Sequence, residues 1–125
     1  MIHDVELAIV QALANTITTY PDEAPVKATY PYAVVSCKRL TIEENVGSWR
    51  IEINVWDKHE HNSRAEAKMD AIEKVLDFSR IMLTGSNAGT LVCLYKSQRE
   101  DILDTDETIK RVRTQFDTTI YESEA

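Results

Sequence analysis

The chain has 125 residues, a formal net charge of -7 at pH 7, a hydrophobic fraction of 43% and a charged fraction of 28%. This length fits one domain spanning 1–125, large enough to fold without disulfides or metals. The composition argues against disorder, and the negative charge opposes general attraction to nucleic-acid phosphates. The two cysteines, Cys37 and Cys93, are too few for a disulfide scaffold, so we expect buried free thiols.

The N-terminal sequence lacks the features that direct a chain to a membrane or out of the cell. Acidic residues stand where a signal peptide needs a basic region. Apolar runs also stay well short of the roughly 20 residues that span a bilayer. We therefore expect synthesis inside the cell and no membrane partner.

The first half of the chain alternates helix and strand signals. Apolar residues at helical spacing predict an amphipathic helix over 4–15, with Asp4 as its N-cap. A short strand is predicted over 17–20, and prolines then indicate a flexible loop near 21–29. A β-rich run over 33–42 should form a hairpin with residues 49–57.

The strongest single signal is the second strand of this hairpin. Its apolar residues alternate with polar ones at the two-residue period of a half-buried strand: Trp49, Ile51, Ile53 and Val55. Ser63 and Glu66 then form a capping-box pattern, which predicts a helix over 64–78. Strand, loop and helix are therefore expected in that order.

The second half predicts a flexible loop near 80–89, a strand that begins at Leu91, and a last strand that alternates cleanly. On that last strand the side that should pack carries Val112, Thr114, Phe116, Thr118 and Ile120. The C-terminus is a short acidic tail. The predicted order is α-β-β-β-α-β-β, an α+β fold in which two helices cover one face of a mainly antiparallel sheet of about four long strands.

The polar sides of the last two strands supply the candidate interface residues. The basic residues Lys96, Arg99, Lys110, Arg111 and Arg113 would form a stripe for subunit contact, or simply a solvated sheet face. Acidic counterparts on a neighbouring subunit are predicted at Glu43, Glu44, Glu122 and Glu124. Trp56 is out of phase with the apolar side of its strand, so it is an interface candidate as well.

No motif predicts catalysis or a cofactor. The run Asp57-Lys58-His59-Glu60-His61 offers metal-ligand types, but it has no third ligand at a recognisable spacing and fits a solvated loop. The glycine-containing run over 84–89 lacks the ending of a phosphate-binding loop. Nucleophile motifs are also missing, so the chain is predicted not to be an enzyme and to hold no metal or cofactor.

Two segments carry a resemblance that covers nearly the whole chain. Tyr30-Pro31-Tyr32-Ala33-Val34-Val35 enters the first long strand, and Ile51-Glu52-Ile53-Asn54-Val55-Trp56-Asp57 leads to a helix rich in Ala, Glu and Lys. In this order of elements the chain resembles small tail-component proteins of long-tailed phages and prophages. It looks most like the tail-terminator, or tail-to-head joining, group that includes the minor tail protein U of phage lambda.

The resemblance implies an assembly role in the virion tail, with assembly in the bacterial host cytoplasm. In that group subunits form a hexameric ring on the head-proximal end of the tail, stop tube polymerisation and offer a surface to the head connector. The implied partners are further copies of the chain, the major tail tube protein and the head completion or connector protein, with DNA passing through the ring without specific binding. Loops over 21–27 and 81–89 and exposed strand edges are implied as contact regions. A head-completion or other minor tail protein remains an alternative, as does a small-ligand module or enzyme.

Overall fold

The computed structural model describes residues 2–43 and 46–122. These residues form two α-helices, six strands and one short 3-10 helix at Gly85–Asn87. No described helix combines the length and apolar character needed to cross a membrane. In chain order the helices and strands are α1 Ile2–Ala12, β1 Thr19–Pro21, β2 Tyr32–Glu43, β3 Val46–Lys58, α2 Ser63–Leu76, β4 Arg80–Met82, β5 Leu91–Ile102 and β6 Ile109–Tyr121.

The six strands form one mixed sheet in the order β1-β2-β3-β6-β5-β4. β1 runs parallel to β2, and every other neighbouring pair is antiparallel. The α+β class is confirmed, and β2, β3, β5 and β6 are the long strands. The predicted sheet of about four antiparallel strands is wrong, because the short strands β1 and β4 extend it to six and make it mixed.

β4 lies inside the segment that was predicted to be a flexible loop over 80–89. Its three residues pair with the start of β5, Met82 opposite Leu91. The connection between them contains Gly85 and Gly89, both with positive φ, a conformation that glycine adopts without steric cost. A strand of three residues is too short to show a period, which explains why the sequence pattern did not reveal it.

Both helices pack on the same face of the sheet, which we call the covered face. Val5 and Ile9 of α1 and Met69 and Ile72 of α2 are fully buried in one core cluster with the sheet. The predicted packing sides of β3 and β6 are confirmed, since the following apolar residues are all buried there: Trp49, Ile51, Ile53 and Val55 of β3, and Val112, Phe116 and Ile120 of β6. The opposite side of the sheet, which no described helix covers, we call the open face.

The predicted helix starts need correction. α1 already begins at Ile2, so Asp4 lies within the first turn and is not the N-cap. The N-cap of α2 is Asn62, whose side chain makes no capping hydrogen bond, and Ser63 is the first helical residue. The capping box is therefore wrong by one residue, which moves the Ser63 hydroxyl away from the free amides that it was expected to bind.

Candidate interaction surface

Arg111 and Trp56 are neighbours on the open face, where β6 pairs with β3. They lie directly opposite each other, and the guanidinium carbon of Arg111 is 4.6 Å from the centre of the Trp56 ring. The same guanidinium donates through Nε to Oδ1 of Asn54 at 2.9 Å. A cation over an aromatic face is electrostatically attracted to it, so the pair is held in one orientation and remains partly exposed.

The middle of the open face is polar and internally paired. Arg113 forms an ion pair with Glu100 of β5, which is its direct neighbour in the register. Gln115 donates to Glu52 of β3 at 3.1 Å. Arg113 is already paired with Glu100, so it is less available to a partner than its sequence position suggested.

A groove of about 260 Å³ opens on the same face toward the β1 edge. Tyr32, Val34 and Trp56 line its floor together with the polar Ser36 and Asn54, and Arg111 closes one side. Asp22 and Glu23, which follow β1, supply acidic groups at its border.

Tyr32 is also held by ring contacts with Tyr20 at 6.0 Å and Tyr30 at 5.3 Å. Aromatic side chains beside an arginine are the composition that protein interfaces favour.

The structure does not bring the five predicted basic residues into one stripe. Lys96 pairs in register with Phe116, and Arg99 with Thr114, so both lie on the covered face. Lys96 lies two residues after the buried Leu94, so the ordinary alternation of β5 already places it on the covered face. A β-bulge between Lys96 and Gln98 then shifts the alternation and places Arg99 on that face as well. Lys110 lies opposite Asp57 on the covered face too, and its Nζ donates to the carbonyl of Glu107.

Lys96 and Arg99 find their partners on α2 instead. Glu73, a nearly buried residue, accepts from Lys96 Nζ at 2.9 Å, from Arg99 Nη1 at 3.4 Å and from the Thr114 hydroxyl at 3.0 Å. Arg99 also pairs with Asp70 on the same helix. Sequence reasoning missed Glu73 because its role depends on which helix face meets β5, and only the packed structure shows that.

A second buried acid lies where α1 meets the edge of the sheet. Glu6 is fully buried, and neither of its carboxylate oxygens has a hydrogen-bond partner among the described residues. Burial and the neighbouring Asp22 carboxyl raise the pKa of Glu6 to about 7. Burial, with the same two carboxyls nearby, raises the pKa of the Cys37 thiol to about 12, so this thiol stays protonated and unreactive.

The segment that offered metal-ligand types is organised by an ion pair. Asp57 is buried and accepts from Arg64 Nε at 2.8 Å, and this hydrogen bond lowers the pKa of the Asp57 carboxyl against the opposing effect of burial. The rings of His59 and His61 lie 6.0 Å apart on the exposed connection. Within the described residues no group of three or more His, Cys, Asp or Glu is placed to hold a metal ion.

The predicted acidic counterparts are only partly described. The side chain of Glu43, all of Glu44 and all of Glu124 lie outside the described part of the chain. Glu122 forms an ion pair of 3.7 Å with Arg39, and the Arg39 guanidinium in turn lies 5.5 Å from the centre of the Trp49 ring. Glu122 therefore already has an internal partner.

Sequence reasoning also missed an apolar patch at the β4 edge, which we call the edge patch: Phe78, Arg80, Met82 and Tyr95. Phe78 is 76% exposed and Met82 is 56% exposed. The Phe78 ring meets the Tyr95 ring edge-on at 5.5 Å. Phe78 was predicted to be the last residue of the helix, but α2 ends at Leu76 and Phe78 has a φ of 60°, in the left-handed region.

The chain is similar to a known family and to a solved structure. A family model described as tail completion protein gp17 matches residues 5–121. The chain belongs to this family. No curated protein sequence matches the chain.

Solved structures support the fold. A chain from the virion of a native gene transfer agent particle superposes with a TM-score of 0.67 at 13% sequence identity, covering 92% of this chain and 84% of that one. At this identity the likeness shows the fold alone. The predicted resemblance to phage tail proteins is confirmed at the level of the family, and the membership indicates a structural role in tail completion.

Proposed function

We propose that copies of this chain form a ring that caps the head-proximal end of a phage tail tube, stops its polymerisation and provides the surface to which the head connector binds. The observation that carries this proposal is the open face, where Arg111 over Trp56 borders a groove with aromatic and polar lining that no described helix covers. Tail-completion family membership supports the place of action. The net charge of -7 is suited to a ring through which DNA passes without binding.

The role is tested by removing the gene from its parent phage or prophage and imaging the particles by negative-stain electron microscopy. Overlong tails without heads are the expected result, since uncapped tubes continue to grow. Tails of normal length beside full heads would overturn termination and assign a joining role. Infectious particles of normal shape would overturn the whole proposal.

The surface is tested by complementing that deletion with Arg111→Glu/Arg113→Glu. We expect a folded monomer that fails to restore tail length, because the reversed charges disrupt the open face. The matched control is Lys68→Glu/Lys74→Glu, which changes the net charge by the same amount on α2. If the first variant restores normal tails, the open face is not the interface, although the role itself still stands.

A further inference from the structure

The edge patch presents large apolar side chains to solvent at one end of the sheet order. Phe78 and Met82 are mostly exposed, and Tyr95 extends the patch along the open face of β5. Arg80 lies between them on β4, and among the described residues it takes part in no ion pair. The patch therefore combines apolar surface with one unpaired positive charge.

Phe78 occupies a backbone conformation that disfavours it. Its φ of 60° is left-handed, where glycine is the residue with least strain and a bulky side chain is a clear outlier. The conformation is fixed on its C-terminal side, because Ser79 donates to Leu76 at 3.0 Å and accepts from Leu94 at 3.1 Å. In the isolated chain a ring that is 76% exposed gains little burial in return. A partner that covers Phe78 would supply that missing burial.

The complementary surface lies at the opposite edge of the same sheet. The groove beside β1 is lined by Tyr32, Val34 and Trp56 together with the polar Ser36, Asn54 and Arg111, and the acidic residues Asp22 and Glu23 lie at its border. When the edge patch is placed against this groove, the Phe78 ring can pack on Tyr32 and Trp56, and the charge of Arg80 is complementary to the acidic Asp22 and Glu23. Since β1 and β4 are the two outer strands of the sheet, one copy can present each surface to a different neighbour.

We propose that the edge patch of one copy inserts into the groove of the next copy, with Phe78 against the aromatic floor and Arg80 facing Glu23. The two surfaces differ, so the contact is head-to-tail, and it repeats from copy to copy until the rotation closes a ring. This inference rests on the proposed function and names the surfaces that join its subunits. Self-association tests it, whereas tail length tests the capping role, so the two can fail separately.

A charge exchange gives the decisive test, read by sedimentation velocity of purified protein. Arg80→Glu alone places Glu against Glu23, and Glu23→Arg alone places Arg against Arg80, so we expect each variant to associate at least tenfold more weakly. An equal mixture of the two variants should recover the association of the unaltered chain. In the mixture the two variants alternate. The substituted position 80 of the first variant then faces the substituted position 23 of the second, and Arg80 of the second faces Glu23 of the first, so both contacts pair opposite charges. Continued association of either variant alone, or a mixture that stays monomeric, would overturn the inference.

Phe78→Gly tests the apolar half of the contact without a penalty to the fold. Glycine removes the exposed ring and relieves the positive φ, so the thermal melting of the monomer should be unchanged or raised while association falls at least tenfold. Leu103→Gly is the matched control, because Leu103 is 96% exposed and lies outside both surfaces. Equal losses in the two variants would contradict the inference.

The unaltered chain is tested by measuring its self-association as a function of protein concentration. We expect oligomers larger than dimers to appear below about 1 mM, the dissociation constant that corresponds to roughly 4 kcal/mol of binding free energy. A chain that stays monomeric throughout that range overturns the inference and leaves the tail-length experiment to judge the proposed function. A complex that stops at two copies also overturns it, because a head-to-tail contact leaves free surfaces at both ends.

Discussion

The two faces of the sheet are built from the same strands but by different means. The covered face alternates apolar side chains into one core that both helices close, with Phe116 and Ile51 fully buried. The open face carries cross-strand polar pairs such as Arg113 with Glu100, and one groove with an aromatic floor. The first arrangement holds the fold, and the second leaves surface for partners. Substitutions at matched positions on the two faces should therefore separate stability from assembly.

The largest expected effect is the loss of a core ring. Phe116→Ala should lower the free energy of unfolding by about 4 kcal/mol, because it removes a fully buried side chain and leaves a cavity. Gln115→Ala, one residue earlier and on the open face, should change it by less than about 1 kcal/mol. Urea unfolding of both variants measures the difference. Similar losses would contradict the division of the sheet into a core face and a partner face.

The covered side also contains a buried acid that makes its stability depend on pH. The pKa of Glu6 is raised to about 7 in the folded chain, above its ordinary value of 4.5, so the unfolded chain releases the proton first as pH rises. The free energy of unfolding should therefore fall between pH 4.5 and about 7 and then level off. The loss is about 3 kcal/mol at most.

Glu6→Gln should remove this fall, since the amide does not ionise. Unfolding by urea at a series of pH values from about 4.5 to 8 measures it, with the exposed Glu23→Gln as the control. Asp57 acts in a different window: its pKa is lowered, so its contribution is present above its ordinary pKa and is lost only at more acidic pH. A fall that persists unchanged in Glu6→Gln would contradict the role of this carboxyl.

The sequence predicted the parts of the fold that have a clear period. The β3 and β6 alternations identified the covered face residue by residue, because one side of each strand meets the core. It missed β4, which is too short to show a period, and it placed the α2 cap one residue too late. Family resemblance supplied the tail-completion role, which no catalytic or ligand motif would have revealed.

The candidate surface was harder to predict because it depends on register. A single β-bulge after Lys96 moved Arg99 to the covered face, where Lys96 and Lys110 already lie by the regular alternation of their strands. Only Arg111, Arg113 and Trp56 remain together on the open face. The groove arises from residues distant in sequence, such as Asp22 and Arg111, and no local pattern brings them together.

The covered face also contains charged groups, since Glu73 of α2 accepts hydrogen bonds from Arg99 and Thr114. Its contribution to stability can be compared with that of a charged pair on the open face. Glu73→Ala should lower the free energy of unfolding by about 2 kcal/mol, since Arg99 and Thr114 lose their acceptor in a largely buried setting. Glu66→Ala, on the same helix, is the control. Thermal or urea unfolding measures both. If Glu73→Ala costs no more than the control, the ion pairs from β5 to α2 are not part of what holds the helix.

The smallest expected effect concerns the corresponding ion pair on the open face. A double-mutant cycle with Arg113→Ala and Glu100→Ala should give a coupling energy below about 1 kcal/mol, because both side chains are partly exposed and solvent screens them. Salt should reduce it further. Urea unfolding of the four proteins measures the coupling. A coupling as large as the loss in Glu73→Ala would mean that the charged pairs of the open face also stabilise the fold, and would contradict the division between the two faces.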